Sequence, residues 1–320
     1  MKIAFYSTHL CLHGTTVAVY DYANYNESIL GNESFVFYLE DEPRNNETTK
    51  QKFKNRFGNR VISGRSIEDI DSKLKDLNID AIYVIKTGRK DDGVIFKNCP
   101  MLINAVGLVP PSESHGKVFA YNSYWVSQHC SNGSLPAVPH MIDLPEVEDD
   151  LRNELNIPSS AIVFGRNGGT YSWNINFVEK SISEALNQRD EIFFVFQNTP
   201  RFLEHERIIN IPPTADMEYK VKFINTCDAM IHARKEGESF GLTCGEFSVK
   251  NKPVITWDGS AEKNHTFILG EKGIYYKDQS DLTKIFLSFK PNPNKDWNAY
   301  KDYSPEKIMK IFNEVYLQNV

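Results

Sequence analysis

Residues 227–257 read CDAMIHARKEGESFGLTCGEFSVKNKPVITW, and this stretch decides the fold. Its apolar run at residues 229–231 predicts a buried strand, and the apolar, β-branched residues 254–257 predict a second one. Between them, a charged turn leads into a helix that we expect to begin near Thr243 and to end before Pro253. A strand, a loop, a helix and a strand in this order form the repeating unit of an open parallel sheet.

Two carboxylates lie eight positions apart in this stretch, Glu238 in the loop and Glu246 in the first turn of the helix. The residues between them lead to a helix N-terminus, where free backbone N–H groups bind anions. A ligand with its phosphates on these amides would present hydroxyls to Glu238 and a pair of vicinal hydroxyls to Glu246. A nucleotide sugar has this layout. The alternative is that Thr243 and Glu246 form a capping box and that Glu238 is a solvated loop residue.

The stretch resembles the E-x7-E motif of retaining glycosyltransferases with the GT-B fold, family 4 in particular. The resemblance implies that Glu238 is a catalytic residue that contacts the donor sugar. It also implies that the donor ribose and diphosphate are bound by Glu246, Ser239, Phe240, Gly241 and Leu242. The usual EGFG of the family is ESFG in this chain.

A second motif follows the predicted strand at residues 161–165. In family 4 enzymes, a Gly-Arg pair closes this strand, and a Lys about six residues later joins the Arg on the donor diphosphate. Gly165 and Arg166 match the pair, but Tyr171-Ser172-Trp173 occupies the region of the Lys. The resemblance therefore implies a catalytic role for Arg166, with donor-binding help from the amides of Gly168 and Gly169 and from Arg234. A surface salt bridge is the alternative for Arg166.

The first half of the chain begins like a Rossmann-type unit, with a strand at residues 2–7, a glycine-containing loop and a helix at residues 17–24. The loop is not G-x-G-x-x-G, so the dinucleotide fingerprint is absent. In GT-B enzymes, the corresponding loop borders the cleft, which makes Gly14, Thr15 and Thr16 candidates for the acceptor side. A helix cap made by Thr15 or Thr16 is the alternative.

Open α/β folds place ligands at the carboxyl ends of their strands, and Lys86 and Asn198 each follow an apolar strand. Lys86 is a candidate cleft residue, with a solvated side chain as the alternative, and Asn198 is a candidate donor-binding residue. Many family 4 enzymes carry a sugar-facing histidine where this chain has Asn104, and the nearest histidine is His115. Both are candidates for the acceptor side. Residues 118–126 predict the last strand of this half.

The composition changes at the proline-rich residues 138–145, which predict a domain boundary. We expect an N-terminal, acceptor-side domain at 1–142 and a C-terminal, nucleotide-sugar-binding domain at 143–300. We expect an acidic helix at residues 149–155 and, at 301–320, a helix that packs back on the first domain by analogy with GT-B proteins. The predicted fold class is α/β, with two Rossmann-like domains facing across a cleft (GT-B).

The composition indicates a folded, soluble protein of 320 residues, with 41% hydrophobic residues and a net charge of −6. This charge argues against nucleic acid as a partner. The five cysteines show no C-x-x-C spacing, which predicts reduced cytoplasmic thiols and no zinc site. We expect neither a secretion signal nor a transmembrane segment, and we leave open a peripheral membrane contact and the oligomeric state.

Together these observations predict a retaining glycosyltransferase that moves a hexose-type sugar from a nucleotide-sugar donor to a glycan or another hydroxyl acceptor. No D-x-D pair occurs in a setting that would hold Mg²⁺, so we expect no metal and no cofactor. The alternative function is a non-catalytic, degenerate protein that only binds nucleotide sugars. The sequence does not identify the donor base, the sugar or the acceptor.

Overall fold

The computed structural model describes residues 1–169 and 171–320, so Thr170 of the predicted phosphate-binding loop lies outside the described residues. The chain divides into two compact units. Unit 1 comprises Met1–Met141 and Tyr303–Val320, and unit 2 comprises Ile142–Asp302. None of the helices in the described ranges combines the length and the apolar character that crossing a membrane requires.

Strands and helices alternate in the first part of unit 1. In chain order they are β1 (Lys2–Tyr6), α1 (Gly14–Ser28), β2 (Glu33–Leu39), α2 (Glu47–Phe57), β3 (Val61–Gly64), α3 (Ile67–Asp76), β4 (Ala81–Lys86), β5 (Met101–Ala105), β6 (Val118–Tyr121) and α4 (Tyr124–Ser131). In this unit, all of whose residues are described, the strands form a six-stranded sheet in the order β3-β2-β1-β4-β5-β6. Every neighbouring pair is parallel.

Helices cover both faces of this sheet, so its central strand is apolar throughout. Along β1, Ile3 and Phe5 point into one buried cluster, while Ala4 and Tyr6 point into the other. This alternation follows from the two-residue period of a strand. The sheet of unit 1 therefore separates two hydrophobic cores.

Unit 2 repeats the pattern. In chain order its elements are β7 (Ile162–Asn167), α5 (Asn176–Gln188), β8 (Ile192–Gln197), β9 (Ile208–Ile211), α6 (Met217–Thr226), β10 (Ala229–His232), β11 (Gly237–Glu238), α7 (Leu242–Val249), β12 (Val254–Trp257), β13 (Glu262–Lys263), α8 (Asn264–Leu269), β14 (Gly273–Tyr276) and α9 (Gln279–Ser288). Over the described part of this unit, six strands form a parallel sheet in the order β14-β12-β10-β7-β8-β9. The short strands β11 and β13 pair separately.

The last helix, α10 (Pro305–Val315), belongs to unit 1 although the chain reaches it from unit 2. Phe312 packs against Tyr22, Phe5 and Tyr83, with ring centroids 5.1, 6.4 and 5.2 Å away. The hydroxyl of Tyr316 donates a 2.8 Å hydrogen bond to the carbonyl of Ile103 in β5. The first core of unit 1 is therefore completed by the C-terminal residues of the chain.

The two parallel sheets with their helices confirm the predicted α/β fold class with two Rossmann-like halves. Two local predictions were wrong. The predicted strand at residues 118–126 ends at Tyr121, because Ser123 accepts a 3.2 Å hydrogen bond from the Val126 N–H and begins α4. The predicted helix at residues 149–155 consists of turns.

Candidate functional site

The loop after β10 holds Glu238 in a fixed position. Glu238 lies in β11, and this strand pairs with β13. Gly237 has a positive φ of 81°, and a Cβ atom there would lie 2.0 Å from the carbonyl oxygen of Glu262. Only glycine fits at this point, and it lets the two short strands approach closely. Gly237 therefore fixes the position of the backbone at Glu238.

The Glu238 carboxylate contacts two basic side chains from the preceding residues. Nε2 of His232 lies 3.2 Å from Oε1, and Nη1 of Arg234 donates a 3.0 Å hydrogen bond to Oε2. Burial raises the pKa of Glu238, but the hydrogen bond to His232 and the charges of His232 and Arg234 outweigh it, and the pKa is lowered. The side chain remains 25% exposed. Glu238 is therefore an ionised carboxylate that a ligand can reach.

A buried relay stands behind His232. Because a carboxylate oxygen only accepts, Nε2 of His232 carries the proton that points to Glu238. Nδ1 of His232 lies 2.9 Å from the hydroxyl oxygen of Thr256, and Nε2 of His265 lies 3.0 Å from the same oxygen. Burial lowers the pKa of His265 to about 3, so this imidazole is neutral. The relay orients the ring of His232.

Arg166 is the last residue but one of β7 and a buried cation, 3% exposed. Its Nη2 donates a 2.8 Å hydrogen bond to Oγ of Ser172, and its Nη1 donates to Oγ1 of Thr199. The guanidinium carbon lies 5.0 Å from the ring centroid of Trp173. The salt bridges found among the described residues of unit 2 use other cations. The predicted alternative, a surface salt bridge, is therefore wrong.

The charge of Glu238 affects the pKa of Arg166. Burial lowers the pKa of Arg166 to about 10, although the charge of Glu238 acts in the opposite direction. The guanidinium is therefore positively charged at neutral pH. A Cβ atom on Gly168 would lie 2.7 Å from Nη2 of Arg166, whereas one on Gly169 would make only ordinary contact. The predicted glycines thus differ, and Gly168 is the one that packs on the guanidinium.

Asn174 joins the two motif loops. Its Oδ1 accepts a 2.8 Å hydrogen bond from the backbone N–H of Lys235, and its Nδ2 donates to the carboxylate of Glu236 at 2.9 Å. The loop that follows Arg166 is thereby fixed to the loop that carries Arg234 and Glu238. The structure brings the two predicted motifs together.

Helix α7 begins at Leu242, with Gly241 in the left-handed N-cap position, where no side chain of the described residues caps the helix. The predicted capping box of Thr243 and Glu246 is therefore not formed, because Gly241 rather than Thr243 is the N-cap and Glu246 lies two positions beyond N3. The carbonyl of Phe240 accepts from Nδ2 of Asn264 at 3.1 Å. The first N–H groups of α7 remain without an intrahelical partner.

Glu246 is a buried carboxylate, 4% exposed. Its Oε1 is bonded to Nζ of Lys220 in α6. Its Oε2 is also buried and has no hydrogen-bond partner within residues 1–169 and 171–320. One carboxylate oxygen is therefore left without a hydrogen-bond donor among the described residues.

The remaining donor-side candidates take other roles. Arg234 is engaged with Glu238 and lies 3.7 Å from Glu236. Asn198 adopts a left-handed conformation with φ 53°, and it is the next residue, Thr199, that contacts Arg166. Ser239 is half-buried beside Phe240. The contacts of these three side chains depend on the conformation of their loops, which the sequence patterns did not predict.

The candidates of unit 1 form local networks. Nζ of Lys86 is buried and lies 2.5 Å from Asp92 and 3.1 Å from Nε2 of His115. The predicted solvated alternative for Lys86 is therefore wrong, and the structure brings Lys86 and His115 together. Nδ2 of Asn104 donates a 2.9 Å hydrogen bond to the carbonyl of Val138.

The first loop of unit 1 differs from both sequence interpretations. Helix α1 has His13 at its N-cap, without a side-chain cap, so neither Thr15 nor Thr16 caps it. Gly14 and Thr15 are exposed, whereas the buried hydroxyl of Thr16 donates to the carbonyl of His9 at 3.3 Å. Thr16 therefore fixes the loop from inside.

Several residues of the site were not predicted from the sequence. His232 ends a buried strand at the carboxyl edge of the sheet, and this position is typical of a ligand-binding residue in an open α/β fold. Ser172 and Trp173 occupy the region of the absent Lys, where they hold Arg166 instead of a phosphate. No sequence pattern indicated Lys220 or Thr199, because each contacts a motif residue that lies in a different secondary-structure element.

The fold is similar to that of solved glycosyltransferases with the GT-B architecture. A glycosyltransferase from Rickettsia africae is 14% identical, covers 99% of this chain and 98% of its own, and superposes with a TM-score of 0.71. HepE from Anabaena, solved in complex with UDP and glucose, is 12% identical over 100% of both chains, with a TM-score of 0.72. Sucrose-phosphate synthase from Thermosynechococcus elongatus is 13% identical over 99% of this chain and 98% of its own, with a TM-score of 0.70.

These likenesses concern the fold. No protein-family model matches the chain, and no curated protein is similar to it in sequence. At this level of identity, the structural neighbours establish the GT-B architecture, and the function must be argued from the site.

Proposed function

We propose that this protein is a retaining glycosyltransferase of the family 4 type, which moves a hexose-type sugar from a nucleotide-sugar donor to a glycan or another hydroxyl acceptor without a metal. The observation that carries the proposal is the environment of Arg166. A cation that is 3% exposed and held by two hydroxyls and an aromatic ring has no carboxylate in direct contact among the described residues, and Glu238 acts on it only through space. An anionic ligand would supply a contacting counter-charge.

A diphosphate fits this anion site. Arg166 offers a planar donor group for phosphate oxygens, and the uncapped N-terminus of α7 adds backbone N–H groups and the positive end of the helix dipole. The absence of a second motif Lys then places most of the charge stabilisation on Arg166 and on these amides. Negative charge grows on the diphosphate as the glycosidic bond breaks, so these groups would bind the transition state more tightly than the donor.

Glu246 and Glu238 would hold the two ends of the donor. The free Oε2 of Glu246 would accept from the ribose hydroxyls, which are neutral donors that suit a buried anion. Glu238, ionised and partly exposed, would accept from hydroxyls of the sugar. Related structures support this kind of ligand, because HepE was solved with UDP and glucose and with UDP-glucose.

The reaction proposed here follows from the family resemblance. The bond between the anomeric carbon and the diphosphate oxygen breaks, and its electron pair goes to the diphosphate. The acceptor oxygen bonds to the anomeric carbon on the same face, and its proton goes to the departing phosphate oxygen. Arg166 stabilises the diphosphate, and Glu238 orients the sugar. No protein nucleophile is required.

The first test is a thermal-shift series with UDP, GDP, ADP, CMP and dTDP, each with and without Mg²⁺. A ligand that binds only the folded state raises the melting temperature. We expect one nucleoside diphosphate to do so independently of Mg²⁺, and we expect Arg166→Gln to remove most of the shift. Arg201→Gln, which changes an exposed arginine of the same unit, should retain it.

Binding and catalysis are separated by a second measurement. The sugar nucleotide that matches the best diphosphate is incubated with and without candidate acceptors, and the anomeric configuration of the product is read by NMR. Retention of configuration supports the proposal, and inversion contradicts it. Binding without hydrolysis or transfer would favour the non-catalytic nucleotide-sugar binder, which the replacement of the family Lys by Ser172 and Trp173 also suggests. No shift with any nucleotide would contradict both functions.

A further inference from the structure

The loop between β1 and α1 places two histidines and a cysteine side by side. One ligand atom from each of His9, Cys11 and His13 lies within 4.8 Å of the other two. The rings of His9 and His13 are edge to face, with centroids 5.6 Å apart. The proposed glycosyl transfer uses none of these three side chains. The expectation of no zinc site rested on the missing C-x-x-C spacing, whereas this loop carries an H-x-C-x-H pattern.

The chemistry of this group is that of a zinc ligand set. Imidazole nitrogen and thiolate sulfur are the donors that Zn²⁺ prefers, at about 2.0–2.1 Å and about 2.3 Å. Ligand atoms around a tetrahedral Zn²⁺ ion are consequently roughly 3.5 Å apart. Because the atoms lie within 4.8 Å of one another, they would converge by at most about 1.3 Å on binding, a change that side-chain rotation supplies.

The backbone around the three ligands is held in place before any ion binds. The carbonyl of His9 accepts from Oγ of Ser7 at 2.7 Å and from Oγ1 of Thr16 at 3.3 Å. Between His9 and Cys11, the Leu10 N–H donates to Oδ1 of Asn45 at 2.9 Å. The ligand-bearing segment is thus fixed from both sides, as a preorganised site requires.

A second observation points to a ligand. Nδ1 of His9 is buried and has no hydrogen-bond partner among the residues that the structure describes. A buried ring nitrogen without a partner is costly. Cys11 is 7% exposed, while His13 is exposed, so an ion can enter from the side of His13.

We propose that His9, Cys11 and His13 form a binding site for a divalent transition-metal ion of the zinc class. Three protein ligands leave a fourth position for water or an added ligand. Bound metal ties the loop at the points where it leaves β1 and enters α1, and so stabilises the segment that leads to Gly14. The site lies in unit 1 and is independent of the proposed function, in which Arg166 rather than a metal stabilises the diphosphate.

The test is a metal titration of the full chain. The reduced protein is stripped with a chelator and titrated with Co²⁺, whose thiolate complexes show a charge-transfer band and whose tetrahedral complexes absorb in the visible range. We expect saturation at one Co²⁺ per chain, displacement by Zn²⁺, and a higher melting temperature with Zn²⁺. Cys11→Ser should abolish the thiolate band and weaken Zn²⁺ binding about tenfold or more.

His13→Asn provides the second variant, because His13 is exposed and its replacement should leave the fold intact. We expect it to weaken Zn²⁺ binding about tenfold or more, with an unchanged circular dichroism spectrum. The matched controls are His129→Asn and Cys130→Ser, which remove the same ligand types from α4 of the same unit and should leave binding unchanged. Absence of Co²⁺ binding, or a thiolate band that survives Cys11→Ser, overturns the proposal. If Cys11→Ser does not fold, unchanged Zn²⁺ affinity in His13→Asn overturns it.

Discussion

Lys220 and Glu246 form a buried ion pair that uses only one oxygen of the carboxylate. The second oxygen, Oε2, faces no donor in the described part of the chain. Lys220 contacts Oε1 of Glu246 and fixes the orientation of the carboxylate from outside the helix that carries it. The arrangement leaves the second oxygen as an acceptor without a donor, which a fully satisfied ion pair would not.

The first prediction concerns this free oxygen. Glu246→Gln should weaken binding of the preferred nucleoside diphosphate about tenfold, because hydrogen bonds to a charged acceptor are worth about 1.5–3 kcal/mol. The same variant should bind the 2′,3′-dideoxy analogue as well as the wild type does, since that analogue has no ribose hydroxyls. Calorimetric titration measures both affinities, with Glu271→Gln as the exposed control. An equal loss for both nucleotides would contradict a contact with the ribose.

The second prediction concerns Glu238. Glu238→Gln should lower the turnover number about a hundredfold or more, because the amide cannot replace the charge that orients and stabilises the sugar. Binding of the nucleoside diphosphate should change little, since Arg166, Glu246 and the backbone amides of α7 are proposed to bind that part of the donor. A transfer assay and a binding titration on the same preparation separate the two effects. Turnover at the wild-type rate would remove Glu238 from the mechanism.

The third prediction concerns acid stability. In the folded protein, burial lowers the pKa of His265 to about 3, whereas an unfolded histidine has a pKa of about 6.5. Between these values the unfolded state binds more protons, so the free energy of unfolding falls as the pH falls. The slope approaches about 1.4 kcal/mol per pH unit for this one residue. His265→Gln should make the pH dependence correspondingly shallower.

Denaturation at several pH values between about 7 and about 4 measures that slope. Trp125 lies in unit 1 and the other tryptophans, Trp173, Trp257 and Trp297, lie in unit 2. A Trp125→Phe background therefore lets tryptophan fluorescence report unit 2 alone. The absolute stability of the variant matters less than the slope, because the lost hydrogen bond to Thr256 acts at every pH. An unchanged slope would mean that His265 is not buried in its neutral form.

The fourth prediction concerns Gly165, the residue before Arg166. A Cβ atom at this position would lie 2.1 Å from Sγ of Cys227. Gly165→Ala should destabilise unit 2 by about 1–3 kcal/mol through overpacking. Adding Cys227→Ala removes the sulfur and should restore part of the loss, which chemical denaturation of the single and double variants measures. Strictly additive effects would mean that the two residues are not in contact.

The fifth prediction concerns the C-terminal helix. Phe312 is fully buried among aromatic rings of unit 1, and Phe312→Ala should destabilise this unit by about 3–5 kcal/mol. Fluorescence of Trp125 reports the unfolding when the other three tryptophans are replaced by phenylalanine. Lys310→Ala, an exposed change on the same helix, serves as the control. A loss confined to unit 2 would be inconsistent with the packing described.

Sequence patterns predicted the elements that depend on local periodicity. The apolar runs that became β1, β7, β10 and β12 were found, since strands covered on both faces consist almost entirely of apolar residues. The boundary errors fall where a local side-chain bond competes with the pattern. Ser123 is such a case, because its hydroxyl starts a helix inside an apolar run.

The candidate site was predicted in part for the same reason. Glu238, Glu246 and Arg166 belong to spaced motifs, and spacing can be read from a sequence. Their partners His232, Lys220 and Thr199 could not be read in this way. The Lys220–Glu246 contact joins two helices 26 positions apart in the chain, and the Arg166–Thr199 contact joins residues 33 apart.

The sequence by itself determined the α/β class, the positions of most strands and the spacing of the motif residues, because these depend on the order of side chains along one strand, loop or helix. Only the tertiary structure decided that, among the described residues, Arg166 is buried with no carboxylate in contact and Glu246 has one oxygen without a donor. Such properties depend on distances between segments, and those distances are set by packing rather than by spacing in the chain.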